Sequence, residues 1–197
     1  MGKIGIVILA AGASTRFGQP KQLISYQGKS LIEHITGVAI ASDGQPIVVV
    51  LGANASQIKP KLRAYNLEIA WNEQWSTGMA SSLRCGLKKI RAIAPDLNAI
   101  ILMLCDQPFV STPLLQALIN GYATGNYPIV ASQYGEVIGV PALFDQTLFP
   151  ELARIEGDRG ARQIINSNQS KVLRIPFPEG LIDIDTPDDL ARLSPKT

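Results

Sequence analysis

The chain has 197 residues, 46% of them apolar, and its 18 basic and 16 acidic side chains leave a formal net charge of +2. That length and apolar share suit one domain spanning residues 1–197 with a substantial core, and they exclude a disordered chain. The small, evenly spread charge lacks the basic cluster that a nucleic-acid or anionic membrane partner requires, and the cysteines, Cys85 and Cys105, form no Cys-x-x-Cys pair, so neither a disulfide framework nor a zinc site is indicated and a reducing cytoplasm is the expected compartment.

In chain order, the short apolar runs 4–9, 47–51, 67–71, 99–104 and 129–132 read as buried parallel strands. Between them, residues 30–41, 54–65, 80–94 and 112–124 carry apolar residues at three- and four-residue spacing, and Pro113 suits the first turn of its helix. This alternation predicts an α/β fold with a doubly wound, mostly parallel, Rossmann-like sheet. After Ser132 the rhythm loosens. Gly135, Gly139, Val140 and Pro141 precede a short run at 142–144 and a helix at 146–152, which together read as a small antiparallel excursion. A strand at 172–175 follows, then a C-terminal helix starting at Thr186-Pro187, with Thr186 as N-cap and Asp188 and Asp189 facing the helix dipole. No stretch reaches the roughly 18 apolar residues of a membrane span.

The first strand runs into L-A-A-G-A-S-T-R-F-G-Q-P-K, residues 9–21. Leu9 leads into Ala10, Ala11 and Gly12, whose small size leaves backbone N–H groups exposed, and all four are candidates to border the nucleotide; Ser14 adds a hydroxyl, and Arg16 and Lys21 add two cations. At the carboxyl end of a first strand such a loop is placed to hold a triphosphate. The same residues also read as a glycine turn with two solvated cations. No G-x-G-x-x-G follows the strand, and Gly28-Lys29-Ser30 lacks the upstream glycine of a Walker loop because position 23 is Leu23.

The pattern L-A-A-G-x-S-x-R-x-G-x-x-K resembles the signature of the nucleotidyltransferases that include molybdenum cofactor cytidylyltransferase and its guanylyltransferase relative. The resemblance continues through N-E-Q-W-S-T-G-M-A-S-S-L-R-C-G-L at 72–87, C-D-Q-P at 105–108, G-V-P-A-L-F at 139–144, G-D-R-G-A-R at 157–162 and D-I-D-T-P-D-D-L at 183–190. Val140 stands where many cytidylyltransferases of this group have histidine, and Phe17 where methionine is common.

Asp106 follows the run 99–104 and so lies at the carboxyl edge of the sheet, on the side of the Gly12 loop. An anion beside phosphates calls for an intervening cation, and Mg²⁺, which takes one or two carboxylates plus phosphate oxygens, fits. Asp185, just before the Thr186-Pro187 helix start, reads as the second carboxylate, and the resemblance implies the same pair. Asp183 is either a strand-end carboxylate or a further metal contact. The expected chemistry is attack by an acceptor phosphate on the α-phosphorus of the triphosphate, with pyrophosphate leaving in line and Lys21, Arg16 and Mg²⁺ neutralising charge; no protein nucleophile is needed.

For the base, the resemblance points to Asn72, Gly78, Ser81 and Ser82, with Leu51 and Gly52 at the border; each serine is either a helix cap or a ligand contact. Asp158, Arg159 and Arg162 either grip an anionic acceptor, as the resemblance implies, or form a solvated loop. His34, in a helical stretch without a Ser or Cys constellation, reads as structural. Of Trp71 and Trp75, one is expected in the core and one at the site edge.

The resemblance implies CTP and molybdopterin as substrates, a dinucleotide cofactor and pyrophosphate as products, and a molybdoenzyme or its chaperone as the partner that takes the product up. A GTP-using guanylyltransferase and a sugar-phosphate nucleotidyltransferase share the same loop and Asp106. A non-catalytic module that binds and delivers the cofactor is the alternative of another class; a second metal carboxylate argues against it.

Overall fold

A computed structural model describes residues 2–15 and 17–182. Strand β1 (Ile4–Ala10) is followed by a tight hairpin, β2 (Ser25–Tyr26) with β3 (Lys29–Ser30), whose turn residues Gln27 and Gly28 both have positive φ, at 49° and 79°. Helix α1 (Leu31–Ile40) starts at Ser30, whose N–H donates to Glu33 Oε2 at 3.0 Å. Then come β4 (Ile47–Leu51), α2 (Ala55–Ile58), β5 (Glu68–Trp71), α3 (Met79–Ile93), β6 (Ala99–Leu104) and α4 (Thr112–Ala123). The remaining elements are β7 (Ile129–Tyr134), β8 (Val137–Asp145), α5 (Phe149–Leu152), α6 (Arg162–Ser167) and β9 (Val172–Pro176). The C-terminal helix expected at Thr186, with Asp188 and Asp189, lies outside the described residues.

Seven strands form one sheet in the order β5-β4-β1-β6-β8-β7-β9, parallel except where β8 runs antiparallel to both β6 and β7. The two-residue period of the central strands splits the core into two layers. Ile6 and Ile8 of β1, Val49 of β4 and Ile101 of β6 pack with Leu31, Ile35, Leu115 and Leu118 of α1 and α4. On the opposite face Val7, Val50 and Leu102 pack with Leu83, Leu87 and Ile90 of α3 and with Ile164 and Ile165 of α6. Helices on both faces explain why every residue of β4 is buried.

The chain moves from β1 outward through β4 to β5, then returns to β6 on the other side of β1. That reversal places a crevice at the carboxyl ends of β1 and β6, where sheets of this kind bind ligands.

Two elements differ from their sequence signals. The helix expected at 54–65 ends after Ile58 and continues as a short 3-10 turn, Lys59–Leu62, because Pro60 supplies no N–H. The excursion after Ser132 contains a nine-residue strand, β8, instead of the short run at 142–144. Pro141 is accommodated because the β7–β8 register shifts between Ala131 and Ser132, and the Ser132 hydroxyl donates to the Pro141 carbonyl at 2.7 Å.

Phe144 of β8 is fully buried between the sheet and its helices. Phe144→Ala is expected to lower the unfolding free energy by about 3–5 kcal/mol in a urea titration.

Candidate active site

Parallel pairing sets Leu9 beside Leu104, and the Cys105 N–H donates to the Leu9 carbonyl at 3.2 Å. The turn after β6 therefore delivers Asp106 to the loop that leaves β1. A cleft of about 440 Å³ opens here, lined by residues 9–13, Thr15, Lys21, Gln22, Leu104, Cys105 and Asp106, by Trp75, Ser76, Gly78, Met79 and Ser82, and by Asp158.

The loop is held by its carbonyls. Gln22, which is 1% exposed, donates from Nε2 to Ala10 O at 3.1 Å and to Gly12 O at 2.9 Å. The Ala53 N–H donates to Ala11 O at 3.1 Å, and Asn54 Nδ2 donates to Ala13 O at 3.4 Å. The main-chain N–H groups from Gly12 to Thr15, in contrast, donate to no described residue. Free donors at the mouth of a cleft suit an anion. Ser14, at φ 57°, accepts the Lys21 N–H on its hydroxyl at 3.1 Å, so the hydroxyl read as a ligand donor fixes the backbone of the lysine. Arg16 lies outside the described residues.

Lys21 Nζ donates to Asp106 Oδ2 at 2.5 Å, and each side chain is 18% exposed. The other oxygen, Asp106 Oδ1, is buried and has no hydrogen-bond partner among the described residues. An unsatisfied buried carboxylate oxygen costs upwards of about 1–3 kcal/mol, so a cation-accepting position stands beside the free amides. Among the described residues no group of three or more His, Cys, Asp or Glu side chains gathers around a metal position. Asp183 and Asp185 lie outside those residues. Next to Asp106, burial and then the Asp106 charge push the Cys105 thiol well above its ordinary pKa, so it stays protonated and offers no thiolate.

The base-side residues divide. Asn72 is buried and donates from Nδ2 to Ser81 Oγ at 2.8 Å and to Ser82 Oγ at 3.0 Å, while its Oδ1 accepts the Gln74 N–H at 3.0 Å. Ser81 donates to the carbonyls of Gln74 and Gly78 at 2.9 and 2.8 Å. Both side chains are thus committed to shaping the start of α3, whereas Ser82 and Gly78 line the cleft. Leu51 is fully buried and does not line it; Gly52 contributes by absence, since a Cβ there would lie 2.7 Å from the Ala11 carbonyl oxygen. Trp75 edges the cleft, but Trp71 is 50% exposed under a cation–π contact from Lys59, so the expectation that one tryptophan sits in the core fails. His34 donates from Nε2 to the Pro108 carbonyl at 2.9 Å and joins α1 to the Asp106 turn.

Of the acceptor-side residues, Asp158 borders both the cleft and a second, mainly apolar cavity of about 250 Å³, whose lining includes Leu83, Leu102, Val140 and Arg162. Arg159 faces a different depression, with Glu151, Arg154 and Glu156. The structure thus separates the two arginines, which sequence proximity had grouped: Arg159 lies in the turn and Arg162 opens α6. The turn is tied to the nucleotide side: the Gly157 carbonyl accepts the Ala80 N–H at 3.1 Å, satisfying one open donor of α3. Gln22 and Met79 were not singled out from sequence. Gln22 directly follows Lys21 in Q-P-K-Q-L-I, and neither its residue type nor its spacing there marks it.

The family model of the MobA-like NTP transferase domain matches residues 6–172. Nicotine blue oxidoreductase of Paenarthrobacter nicotinovorans is 31% identical over 198 residues, covering 95% of this chain and 94% of the relative. A probable molybdenum cofactor guanylyltransferase of Bacillus cereus is 35% identical over 126 residues, 62% of this chain and 60% of the relative. Among solved structures, Rv0371c of Mycobacterium tuberculosis superposes with a TM-score of 0.85 at 32% identity, covering 98% of this chain and 97% of that one. The same protein in complex with manganese gives 0.82 at 30% identity, covering 99% and 100%.

Gly78 adopts φ 109°, and a Cβ there would lie 2.7 Å from Asp158 Oδ1. Gly78→Ala is expected to cost about 1–3 kcal/mol in denaturant and to speed hydrogen exchange at the Ala80 amide as the contact with Gly157 opens.

Proposed function

We propose that this chain, which belongs to the MobA-like NTP transferase family, transfers CMP from CTP to the phosphate of molybdopterin and releases pyrophosphate. The observation that carries the reading is made among the described residues: the buried Asp106 Oδ1 beside Lys21 has no partner there, and it stands at the foot of a loop whose amides from Gly12 to Thr15 are free. A triphosphate and a cation satisfy both needs together.

Asp106, with Asp185 as the expected second carboxylate, would hold Mg²⁺. Bound there, the ion supplies positive charge to the phosphates as negative charge develops. The family relative crystallised with manganese supports a divalent ion in this role.

The chain's own residues do the rest. On binding, Lys21 exchanges its contact with Asp106 for a phosphate oxygen, and the loop amides, with Arg16, fix the polyphosphate. Residues Asp158 and Arg162, where the cleft meets the second cavity, orient the acceptor; Ser82 and Trp75 border the base. An acceptor phosphate oxygen then bonds to the α-phosphorus, the α–β anhydride breaks, and pyrophosphate carries away the electron pair. The acceptor is already ionised near neutral pH, so no base is needed, and the protonated, buried Cys105 is no competing nucleophile.

The relative named as an oxidoreductase favours a second reading, in which the loop binds a nucleotide cofactor for electron transfer. Such chemistry has no use for the open oxygen of Asp106. A delivery module would bind CTP without turnover, and a guanylyltransferase would prefer GTP.

Incubation with each of the four triphosphates, Mg²⁺ and molybdopterin, with mass detection, is expected to give the cytosine dinucleotide and pyrophosphate from CTP; product from GTP alone reassigns the base, and no product from any triphosphate rejects transfer. Lys21→Ala and Asp106→Ala are each expected to lower pyrophosphate release by about a hundredfold or more with an unchanged circular-dichroism spectrum.

A further inference from the structure

We infer that Gln22 is the positioning residue of the phosphate loop, setting triphosphate affinity through the backbone that its side chain clasps. The inference rests on the nucleotidyltransferase reading of the cleft and adds a residue that the reading does not require. A loop of Ala11, Gly12 and Ala13 has no side chains long enough to hold its own shape. A peptide unit free to turn would present its carbonyl to the polyanion as readily as its N–H. Gln22 removes that freedom at two points, since one carboxamide nitrogen engages the carbonyls of Ala10 and Gly12 at 3.1 and 2.9 Å.

Three further observations make the clasp specific. The side chain is 1% exposed, so water does not compete for its two donors. Its Oε1 faces the Ser14 hydroxyl at 3.4 Å, and that hydroxyl in turn accepts the Lys21 N–H at 3.1 Å. Gln22 therefore links both ends of the loop, the Ala10–Gly12 turn and the lysine. Neither glutamate nor methionine, though similar in length, supplies two donors there. A carboxylate would set negative charge against two carbonyl oxygens and close to the incoming phosphates.

The test is titration calorimetry at low temperature with CTP and with pyrophosphate, each with Mg²⁺, on wild type, Gln22→Met and Gln22→Glu, with thermal midpoints measured in parallel. The Kd for both probes is expected to rise about tenfold in Gln22→Met and about a hundredfold in Gln22→Glu, in folded protein. A residue with a merely structural role would lower the thermal midpoint and leave the Kd of the folded protein unmoved. Kd values within twofold of wild type in either folded variant overturn the inference. Failure of the wild-type protein to bind either probe overturns the reading of the cleft, and this inference with it.

Discussion

Lys21 and Asp106 are 85 positions apart in the chain and 2.5 Å apart in the fold. The contact exists because β1 and β6 are neighbours in register, so that the loop leaving one strand and the turn leaving the other emerge side by side. Two partly buried charges so close stabilise each other, yet among the described residues the pair leaves one carboxylate oxygen without a partner in a protein interior where that is costly. A structure designed only for stability would satisfy that oxygen or replace it. Its persistence beside free amide donors marks the pair as a holding arrangement, in which a lysine keeps a carboxylate company until phosphate and cation separate them.

Around this pair the fold spends many residues on keeping small groups still. Among the described residues the loop amides stay open while the carbonyls are taken, by Gln22, Asn54 and the Ala53 amide. Gly52 lets the loop after β4 approach Ala11 closely, and Asn72 with Ser81 shapes the start of α3 from within. The Gly157 carbonyl, resting on the Ala80 amide, joins the acceptor turn to the same helix. Preorganisation of this kind lowers the reorganisation needed when a polyanion arrives.

Much of the fold was legible in the sequence because its strands are buried on both faces and so read as continuous apolar runs; β4 is the clearest case. The hydrophobic period marked α1, α3 and α4 in the same way. What stayed hidden depends on pairing across the chain. β8 contains Gly139 and Pro141, which look like breakers until the shifted register and the Ser132 hydroxyl accommodate them. At the site, the small-residue loop, Lys21 and Asp106 announced themselves by residue type and spacing. Gln22 did not, because its role follows from being buried under a loop that no local pattern describes. Ser14 and Asn72 were expected at the ligand and Ser81 as either a helix cap or a ligand contact; the hydrogen bonds their side chains make lie within the protein. Arg159 and Arg162, adjacent in the pattern, open onto different cavities.

The central claim is that the Lys21–Asp106 pair opens to admit a polyphosphate and a divalent ion. The most direct measurement is a crystal structure of the protein with Mn²⁺ and a non-hydrolysable CTP analogue, with manganese located by anomalous scattering. The account predicts a manganese peak on Asp106, with Lys21 moved onto the phosphates and the loop amides facing them. A bound analogue with the Lys21–Asp106 contact intact and manganese elsewhere would contradict it.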